Sequence, residues 1–380
     1  MTAKTELSSL EASGLIRLAA LEPDIEYLFR HALVQDAAYS SLPKQERREL
    51  HARAAEVLLS LYPQRERELG AVLGMHFEQA GDTARAARHF VDAGEHALER
   101  FANQEAGAFF DRAYGHLSGD ALDGATLELR LRAAVGAAKA GWTFVPVDTL
   151  LDRLQRVIGV ADGTAEPRLL GEAHFWVVFL RRARGDTPSS SPELQRSLDR
   201  LSEIGDTLGD PAARAIPQAF VGLGLATTGR LRAGAELLEN ALDVMEAGSD
   251  PLSAALLADL LTIAYARLGE FAAAERAIGR SERLAERGDA IARLDSMIAR
   301  STIALERGDV AESAALSSQC AVDAEALGAV GCSIFSNLTL GEARLELDQP
   351  SAAKPALERG HELSIMANIP QARTAAQSWL

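Results

Sequence analysis

The sequence predicts an all-α protein, and within that class a right-handed α-solenoid of stacked helical hairpins. The 380 residues are 47% hydrophobic but only 5% aromatic, and the apolar residues are mostly Ala and Leu, which are strong helix formers. A similar turn also recurs at spacings close to 40 residues. No catalytic motif interrupts this pattern, so we expect a repeat protein that binds rather than an enzyme.

The recurring turns each join a glycine or aspartate to a polar residue. Gly229 and Gly269 are 40 residues apart, and Gly269 and Gly308 are 39 apart. Glycine takes the left-handed conformation that ends one helix, and the polar residue after it starts the next helix. One hairpin cannot bury its apolar face alone, so hairpins stack. The predicted turns are Gly81-Asp82, Gly185-Asp186, Gly229-Arg230, Gly269-Glu270, Gly308-Asp309 and Asp348-Gln349.

This repeat resembles the tetratricopeptide repeat (TPR), although its spacing exceeds the 34 residues of the common form. It looks like the longer variant in bacterial regulators of the maltose-regulon-activator type. We assign residues 63–380 to a TPR-like repeat domain. The stretch "IPQARTAAQSWL" is similar to the first helix of another unit, so we expect the array to be cut short at its C-terminus.

Aromatic residues stand out in two places. Trp142 and Phe144 lie in "WTFVP", between two predicted helices; they are candidates for ligand contact on a concave surface, and core packing is the alternative. The stretch "HFWVVFLRR", residues 174–182, is apolar on every side. Such a helix is either buried all round or contacts a partner, and we favour burial.

Charge and composition exclude several classes of protein. The net charge of −15 argues against a general nucleic-acid binder, which needs a basic surface. No segment has the roughly 18 apolar residues of a membrane helix, and the N-terminus lacks an apolar signal region. We therefore expect a cytoplasmic protein without a membrane partner. Cys320 and Cys332 are predicted to be free thiols.

No catalytic or metal-binding pattern is found in the sequence. None of the eight histidines has metal-ligand spacing, and no nucleophile motif is present. "GLATTGRL", residues 224–231, imitates the glycine spacing of a phosphate-binding loop, but Arg230 and Leu231 replace the required Lys and Ser/Thr. We expect neither a catalytic residue nor a metal, and no cofactor bound by this chain alone.

The first sixty residues differ from the repeats. They predict a short helix ended by Gly14, an apolar strand, a turn at "EPD", a second strand "IEYLF" and a helix that starts near His31. Helix, two-stranded wing and helix form the closing part of a winged-helix domain. We assign residues 1–62 to a partial winged helix and linker helix. This part carries no basic excess, so direct DNA binding is not expected.

The segment "EYLFRHALVQDAAYSSLPKQERRELHARAAEVL" resembles the region after the nucleotide-binding module of bacterial STAND-class signalling ATPases. It is similar to the subgroup fused to class III adenylate cyclase domains or to LuxR-type DNA-binding domains. The resemblance implies a P-loop module, winged helix and repeat sensor arm in that order. This chain has no P-loop, so ATP or ADP is expected only in a full-length parent, with the ATPase module in cis or in trans.

The resemblance also suggests roles for individual residues. His31 aligns with a family histidine that touches the β-phosphate of ADP, although Ala32 replaces the family's aspartate; a structural role, such as capping the helix, is the alternative. Arg47, Arg48 and His51 follow on the next helix. For them we expect ion pairs with neighbouring glutamates or contacts with another domain, and Arg30 is a further domain-contact candidate.

Three functional hypotheses remain open at this stage. The first is a non-catalytic sensor that binds a protein or small effector on the array and controls an ATPase switch. The second is the accessory region of a class III adenylate cyclase, and the third is the effector-sensing part of a LuxR-type transcriptional regulator. The sequence favours the first because the repeats are clear and no output domain is present.

Overall fold

The structure is a computed structural model that divides into two compact units, residues 1–89 and 90–380. Its described part contains α-helices and one two-stranded sheet, which confirms the all-α class. No described helix combines the length and apolarity needed to cross a membrane. The described residues are 3–20, 25–100, 102–117, 123–142, 145–161, 163, 165–186, 190–227, 229–246, 251–285, 290–367 and 369–379.

The first unit begins with the predicted order of helix, two strands and helix. Gly14 ends the first helix with φ of 76°, and the strands pair antiparallel, with Ile16 opposite Phe29. The "EPD" turn lies outside the described residues, and the winged-helix assignment and its boundary at residue 62 stay predictions. The elements are α1 (Ala3–Ala12), β1 (Ile16–Ala20), β2 (Glu26–Phe29), α2 (Ala32–Ser41), α3 (Lys44–Leu61), a 3₁₀ turn (Pro63–Arg65) and α4 (Gly70–Ala80).

The start of the first unit buries very little. Of the side chains described between residues 5 and 61, only Ile16 and Ala55 are buried, and α2 has no buried residue. Leu33 is 82% exposed and Leu28 is 50% exposed. Monomeric proteins rarely leave neighbouring large apolar side chains so open. This segment therefore lacks a core of its own among the described residues.

The second unit is a succession of helices of similar length. Helix α5 (Thr83–Glu99) runs across the boundary between the units. The remaining helices are α6 (Asn103–His116), α7 (Gly124–Gly141), α8 (Val147–Ala161), α9 (Pro167–Ala183), α10 (Pro192–Leu208), α11 (Pro211–Thr227), α12 (Leu231–Met245), α13 (Pro251–Arg267), α14 (Phe271–Ala285), α15 (Ala290–Arg307), α16 (Val310–Leu327), α17 (Val330–Glu346), α18 (Pro350–Met366) and α19 (Pro370–Trp379).

The predicted turns are present between helices. Each glycine or aspartate predicted to end a helix has a positive φ, so the left-handed position is confirmed in all six turns. The turn at Gly229 joins α11 to α12, so the "GLATTGRL" stretch follows a helix rather than a strand. The φ values are 87° at Gly81, 93° at Gly185, 84° at Gly229, 73° at Gly269, 93° at Gly308 and 56° at Asp348.

Asp348 carries a side chain in a conformation that suits glycine. A non-glycine residue in the left-handed region costs about 1 kcal/mol because Cβ approaches the backbone. We expect Asp348→Gly to raise the free energy of unfolding by about 0.5–1 kcal/mol, measured by urea denaturation. Asp309→Gly, one residue after the glycine of the preceding turn, is the control. An Asp348→Gly variant no more stable than the parent would contradict the expectation.

Six hairpins run from α7/α8 to α17/α18, and α19 follows them. Each first helix contacts the next one, from α7–α9 through α13–α15 to α17–α19. The described parts of the second helices (α8, α10, α12, α14, α16 and α18) show no such series of contacts from each second helix to the next. In a curved stack the elements on the inner side lie closer together, so the first helices form the inner layer. This arrangement confirms the predicted solenoid of TPR-like hairpins.

Candidate functional site

The inner layer has a face that no other helix of the array covers. A first helix packs against its own hairpin partner on one side and against neighbouring first helices on two others, so its remaining side faces solvent. Apolar residues lie on that side: Val221 of α11 is 42% exposed, Leu256 of α13 is 36% exposed and Phe335 of α17 is 44% exposed. We call this uncovered surface the inner face.

A group of half-buried aromatic rings lies at the start of the inner face. Phe175, Trp176 and Phe179 of α9 meet Phe220 of α11 and Trp142 at the end of α7. Ring centroids are 5.4 Å apart for Phe175 and Phe220, 5.2 Å for Trp176 and Phe179, and 5.1 Å for Trp142 and Phe179. These are favourable edge-to-face distances. We call these five residues the aromatic cluster.

Helix α9 is fixed firmly at its start. Glu166 is the N-cap, and its carboxylate accepts from the amides of Arg168 at 3.0 Å and Leu169 at 2.9 Å. Pro167 occupies the first turn, where its missing N–H is not needed. The helix therefore starts at a defined residue, which sets the direction of the aromatic side chains one to three turns later.

A charged network fixes the other end of α9. Buried Arg181 donates to the Asp186 carboxylate at 3.0 Å and to Ser191 at 3.1 Å, and Arg184 donates to Asp186 at 2.6 Å. Burial acts to raise the pKa of Asp186, but the hydrogen bonds from Arg184 and Arg181 outweigh it, so this pKa lies below its usual value. The aspartate of the predicted Gly185-Asp186 turn thus anchors two arginines.

Trp142 connects the two ends of the hairpin series. It packs against a buried cluster that includes Ile334 of α17, and a Cβ placed on Gly331 would lie 2.7 Å from Trp142 Cη2. The indole therefore lies directly against the α17 backbone, although 189 positions separate the two residues. Trp142 therefore packs against other parts of the array, which was the alternative to ligand contact, and ligand contact stays a prediction. Phe144 lies outside the described residues.

The 174–182 stretch is only partly buried, so the favoured interpretation of complete burial is wrong, and contact with a partner stays a prediction. His174, Val177, Val178 and Leu180 are buried, whereas the three aromatic residues of the stretch keep part of their surface exposed. Sequence reasoning named Trp142 but missed the cluster around it. The signal was available, because three aromatic residues fall within five positions in a chain that is 5% aromatic.

Paired charges border the aromatic cluster along the inner layer. Arg132 of α7 donates to both carboxylate oxygens of Glu95 at 2.9 and 2.8 Å. Lys139 of α7 forms an ion pair with Glu172 of α9. The charges within each pair neutralise one another, so these two pairs add no net charge beside the cluster. Such a surface suits apolar side chains of a ligand rather than a strongly charged one.

A buried carboxyl group lies deeper in the array. Asp259 of α13 is 3% exposed, and neither of its oxygens forms a hydrogen bond. Ser296 donates to Ala292 O at 3.0 Å, and the Ser281 and Ser296 hydroxyls are 2.8 Å apart. If Ser296 donates to Ala292 O, Ser281 is the donor of the contact between the two hydroxyls. Sequence reasoning missed this site, although Asp259 is the only charged residue in "AALLADLLTIAYA".

Both cysteines are free, as predicted, and both are buried. Cys320 Sγ lies 3.5 Å from Leu294 O, and Cys332 Sγ lies 3.3 Å from Asp295 Oδ1. Burial raises the pKa of Cys320 to about 12 and that of Cys332 well above its usual value. Such thiols are poor nucleophiles. Among the described residues, no group of three His, Cys, Asp or Glu side chains is placed to hold a metal ion.

His31 and Arg30 lie at the start of α2 and are exposed. His31 is the N-cap in extended conformation, but its side chain forms no capping hydrogen bond. The capping alternative for this imidazole is therefore wrong, and nucleotide sensing stays a prediction. Tyr39 lies eight residues later, about 12 Å along the helix, so α2 separates His31 from the residues at its other end.

The second predicted group is brought together with Tyr39. Arg47 Cζ lies 5.1 Å from the Tyr39 ring centroid, and Tyr39 Oη lies 3.0 Å from His51 Nε2. Arg48 lies beside Gly81. In the described part of the chain, neither Arg47 nor Arg48 forms an ion pair, so the expected local ion pairs are wrong. The nearby Glu49 accepts instead from Gln45, at 2.8 Å.

The structure is similar to several solved helical-repeat proteins. A Rap protein complexed with competence and sporulation factor matches with a TM-score of 0.61 and 11% identity, covering 90% of this chain and 92% of that one. The apo form of the quorum sensor NprR from B. thuringiensis matches with a TM-score of 0.54 and 9% identity, over 87% and 91% of the two chains. The shared feature is a TPR-like fold.

A third similar structure extends beyond the part that this chain matches. It is a signal transduction ATPase with numerous domains (STAND) that carries a tetratricopeptide repeat sensor, from Pyrococcus horikoshii. The TM-score is 0.52 at 12% identity, and the match covers 100% of this chain but 58% of that protein. No family model matches the sequence, and no curated protein matches it. At these identities the likeness concerns the fold.

Proposed function

We propose that the chain is a non-catalytic sensor module that binds a peptide or protein segment on its inner face. The observation that carries this proposal is the aromatic cluster, which offers partly exposed rings beside Val221 and other open apolar side chains of the inner layer. Rigid aromatic side chains are typical anchors of binding surfaces, because they give much contact area for little lost conformational freedom. The similar Rap structure, which contains a bound factor, supports this proposal.

The ligand chemistry follows from the surface. The cluster is apolar and the charges beside it are paired, so the expected ligand is a peptide segment with aromatic or aliphatic side chains. Trp142 contacts both Phe179 and α17, so a ligand on the cluster affects how the two ends of the hairpin series pack. A ligand that binds one such arrangement better shifts the population towards it, which is how a sensor reports binding.

The test compares two tryptophans of the array. A random 12-residue peptide library displayed on phage is selected on the full chain, and an enriched peptide is synthesised and titrated by intrinsic fluorescence. We expect Trp176→Ala to weaken binding at least tenfold, about 1.4 kcal/mol. Trp379→Ala, in α19 and 43% exposed, is the matched control and should bind normally. Enriched peptides that bind the Trp176→Ala variant equally well would contradict this site.

The segment at residues 3–61 has a different role in this proposal. Its exposed Leu28, Phe29 and Leu33, and its resemblance to the region after a STAND nucleotide-binding module, favour docking to such a module in cis or in trans. ATP or ADP would then bind in that module, with His31 as the residue that senses the nucleotide. An adenylate cyclase or LuxR-type output, which the same resemblance suggests, remains the alternative.

Hydrogen–deuterium exchange tests the docking role separately from the peptide site. The amides of residues 25–41 should exchange quickly in the chain alone, because the described part of α2 has no buried residue. They should exchange more slowly when a STAND nucleotide-binding module is joined or added. Equal exchange rates with and without the module would contradict docking and leave the peptide site untouched.

A further inference from the structure

Three cations line one side of the start of α3. Lys44, Arg47 and Arg48 have the spacing i, i+3, i+4, which places them on one helix face. With Tyr39 of α2 and two residues at the end of α4, Glu78 and Gln79, they surround a cavity of about 280 Å³. The cavity walls therefore come from three helices of the first unit.

Fixed neighbours hold one of the two arginines in position. Arg47 lies over the Tyr39 ring at a cation–π distance, and Tyr39 Oη is tied to His51. His51 Nδ1 lies 2.9 Å from Nδ1 of His76 in α4. Arg48 Nε and Cζ lie 3.8 Å from the place that a Cβ on Gly81 would occupy. Tyr39 thus holds the half-buried Arg47 in place, whereas Arg48 and Lys44 are exposed at the edge of the cavity.

The positive charge of the cavity is only partly balanced. In the part of the chain that the structure describes, Lys44, Arg47 and Arg48 form no ion pair. Glu78 is the one carboxylate among the residues that line the cavity. Pro43 offers no side-chain cap at the start of α3, so the first amides of this helix add positive potential.

Arg47 keeps one donor without a partner beside this cavity. Its Nε is shielded from water and has no hydrogen-bond partner, which is unfavourable for a buried donor. A guanidinium matches two oxygens of a phosphate or carboxylate with parallel hydrogen bonds. Three cations against one carboxylate leave a surplus of two positive charges, which suits a dianion better than a single carboxylate.

We propose that this cavity binds a phosphate group of a small molecule. Arg47 and Arg48 contact the phosphate oxygens, and Lys44 adds charge at the rim. The volume lies at the lower end of the range for small-molecule pockets, so it admits a phosphate or diphosphate but not a bulky ligand. This site lies on α2–α4 and does not depend on the aromatic cluster or on a peptide ligand.

The test titrates the full chain with inorganic phosphate, pyrophosphate and ADP by isothermal calorimetry at low ionic strength. We expect phosphate and pyrophosphate to bind, and Arg47→Gln/Arg48→Gln to weaken both at least tenfold, about 1.4 kcal/mol. Arg53→Gln, exposed farther along α3, is the matched control and should bind like the parent. If ADP binds more tightly than pyrophosphate, the phosphate group belongs to a nucleotide. If the two bind with equal affinity, the site recognises the phosphate groups alone.

Two outcomes would overturn this site: no heat of binding in the parent chain, or unchanged affinity in the double variant. Circular dichroism checks that the double variant is folded. If it is not, Lys44→Gln replaces it, because Lys44 is exposed and its loss leaves the packing intact. In the Lys44→Gln variant, the affinity for pyrophosphate should depend less steeply on salt concentration than in the parent chain. The same salt dependence in both would also overturn the proposal.

Discussion

Asp259→Asn is expected to stabilise the chain above pH 7 and to remove a loss of stability that the parent shows between about pH 4 and pH 8. Burial, with a further contribution from the charge of Asp295, raises the pKa of Asp259 to about 8. The nearby hydroxyls of Ser281 and Ser296 offset this rise only in part. A protonated carboxyl can donate to Ser281, whereas a carboxylate cannot.

The direction of the pH dependence follows from the two pKa values. An aspartate in the unfolded chain has a pKa of about 3.9, below the folded value of about 8. The folded chain therefore holds a proton that the unfolded chain has released. The contribution to stability is fully present below about pH 4 and is lost as the pH rises to about 8. The difference of about four between the folded and the unfolded pKa corresponds to a loss of stability on the order of 5 kcal/mol.

Asparagine imitates the protonated carboxyl at every pH, because its amide can donate where the acid O–H would. Urea denaturation at pH 5, 7 and 8.5 should show the largest gain for Asp259→Asn at pH 8.5. Glu236→Gln, the same change of charge at an exposed position in α12, is the control and should follow the parent. Parallel pH profiles for the parent and Asp259→Asn would show that the carboxyl is not protonated in the folded chain.

Local features of the array could be predicted from the sequence, and distant contacts could not. The turns at Gly185, Gly229 and Gly308 follow from residue chemistry, since glycine is the residue that enters the left-handed region without strain. Repeat spacing then places each hairpin next to the following one. It does not show that Trp142 meets α17, because curvature over six hairpins is the sum of many small packing angles.

The candidate site was harder to predict for a related reason. Helix α13 is apolar on most sides, so its sequence does not reveal which face turns inward or that Asp259 is buried. The aromatic residues of α9 fit a fully buried helix as well as an exposed one. Their partial exposure depends on the distance between α9 and α11, and the side chains of Phe220 and its neighbours set that distance. In the first unit, the helix spacing of Lys44, Arg47 and Arg48 was visible, but the closing wall from α4 was not.

Gly136→Ala is expected to lower the free energy of unfolding by about 2 kcal/mol, because overpacking of a closed core costs about 1–3 kcal/mol. Phe110 of α6 is fully buried. A Cβ on Gly136 of α7 would lie 2.3 Å from Cε1 and Cζ of that ring, and a Cβ on Gly94 of α5 would lie 2.7 Å from Cζ. The far edge of the ring fills the space where both helices lack a side chain, so it cannot move away from one without striking the other.

A double-mutant cycle separates this steric effect from helix propensity. Gly159→Ala in α8 meets no atom within 4 Å, so it should stabilise the chain by about 0.5–1 kcal/mol through helix propensity. In a Phe110→Leu background the shorter side chain leaves room, and Gly136→Ala should then cost much less than in the parent. Thermal denaturation of the four variants measures this coupling. If Gly136→Ala stabilised the parent as Gly159→Ala does, the Phe110 ring could not lie between α5 and α7. The close approach of these helices at the start of the inner layer would then need another cause.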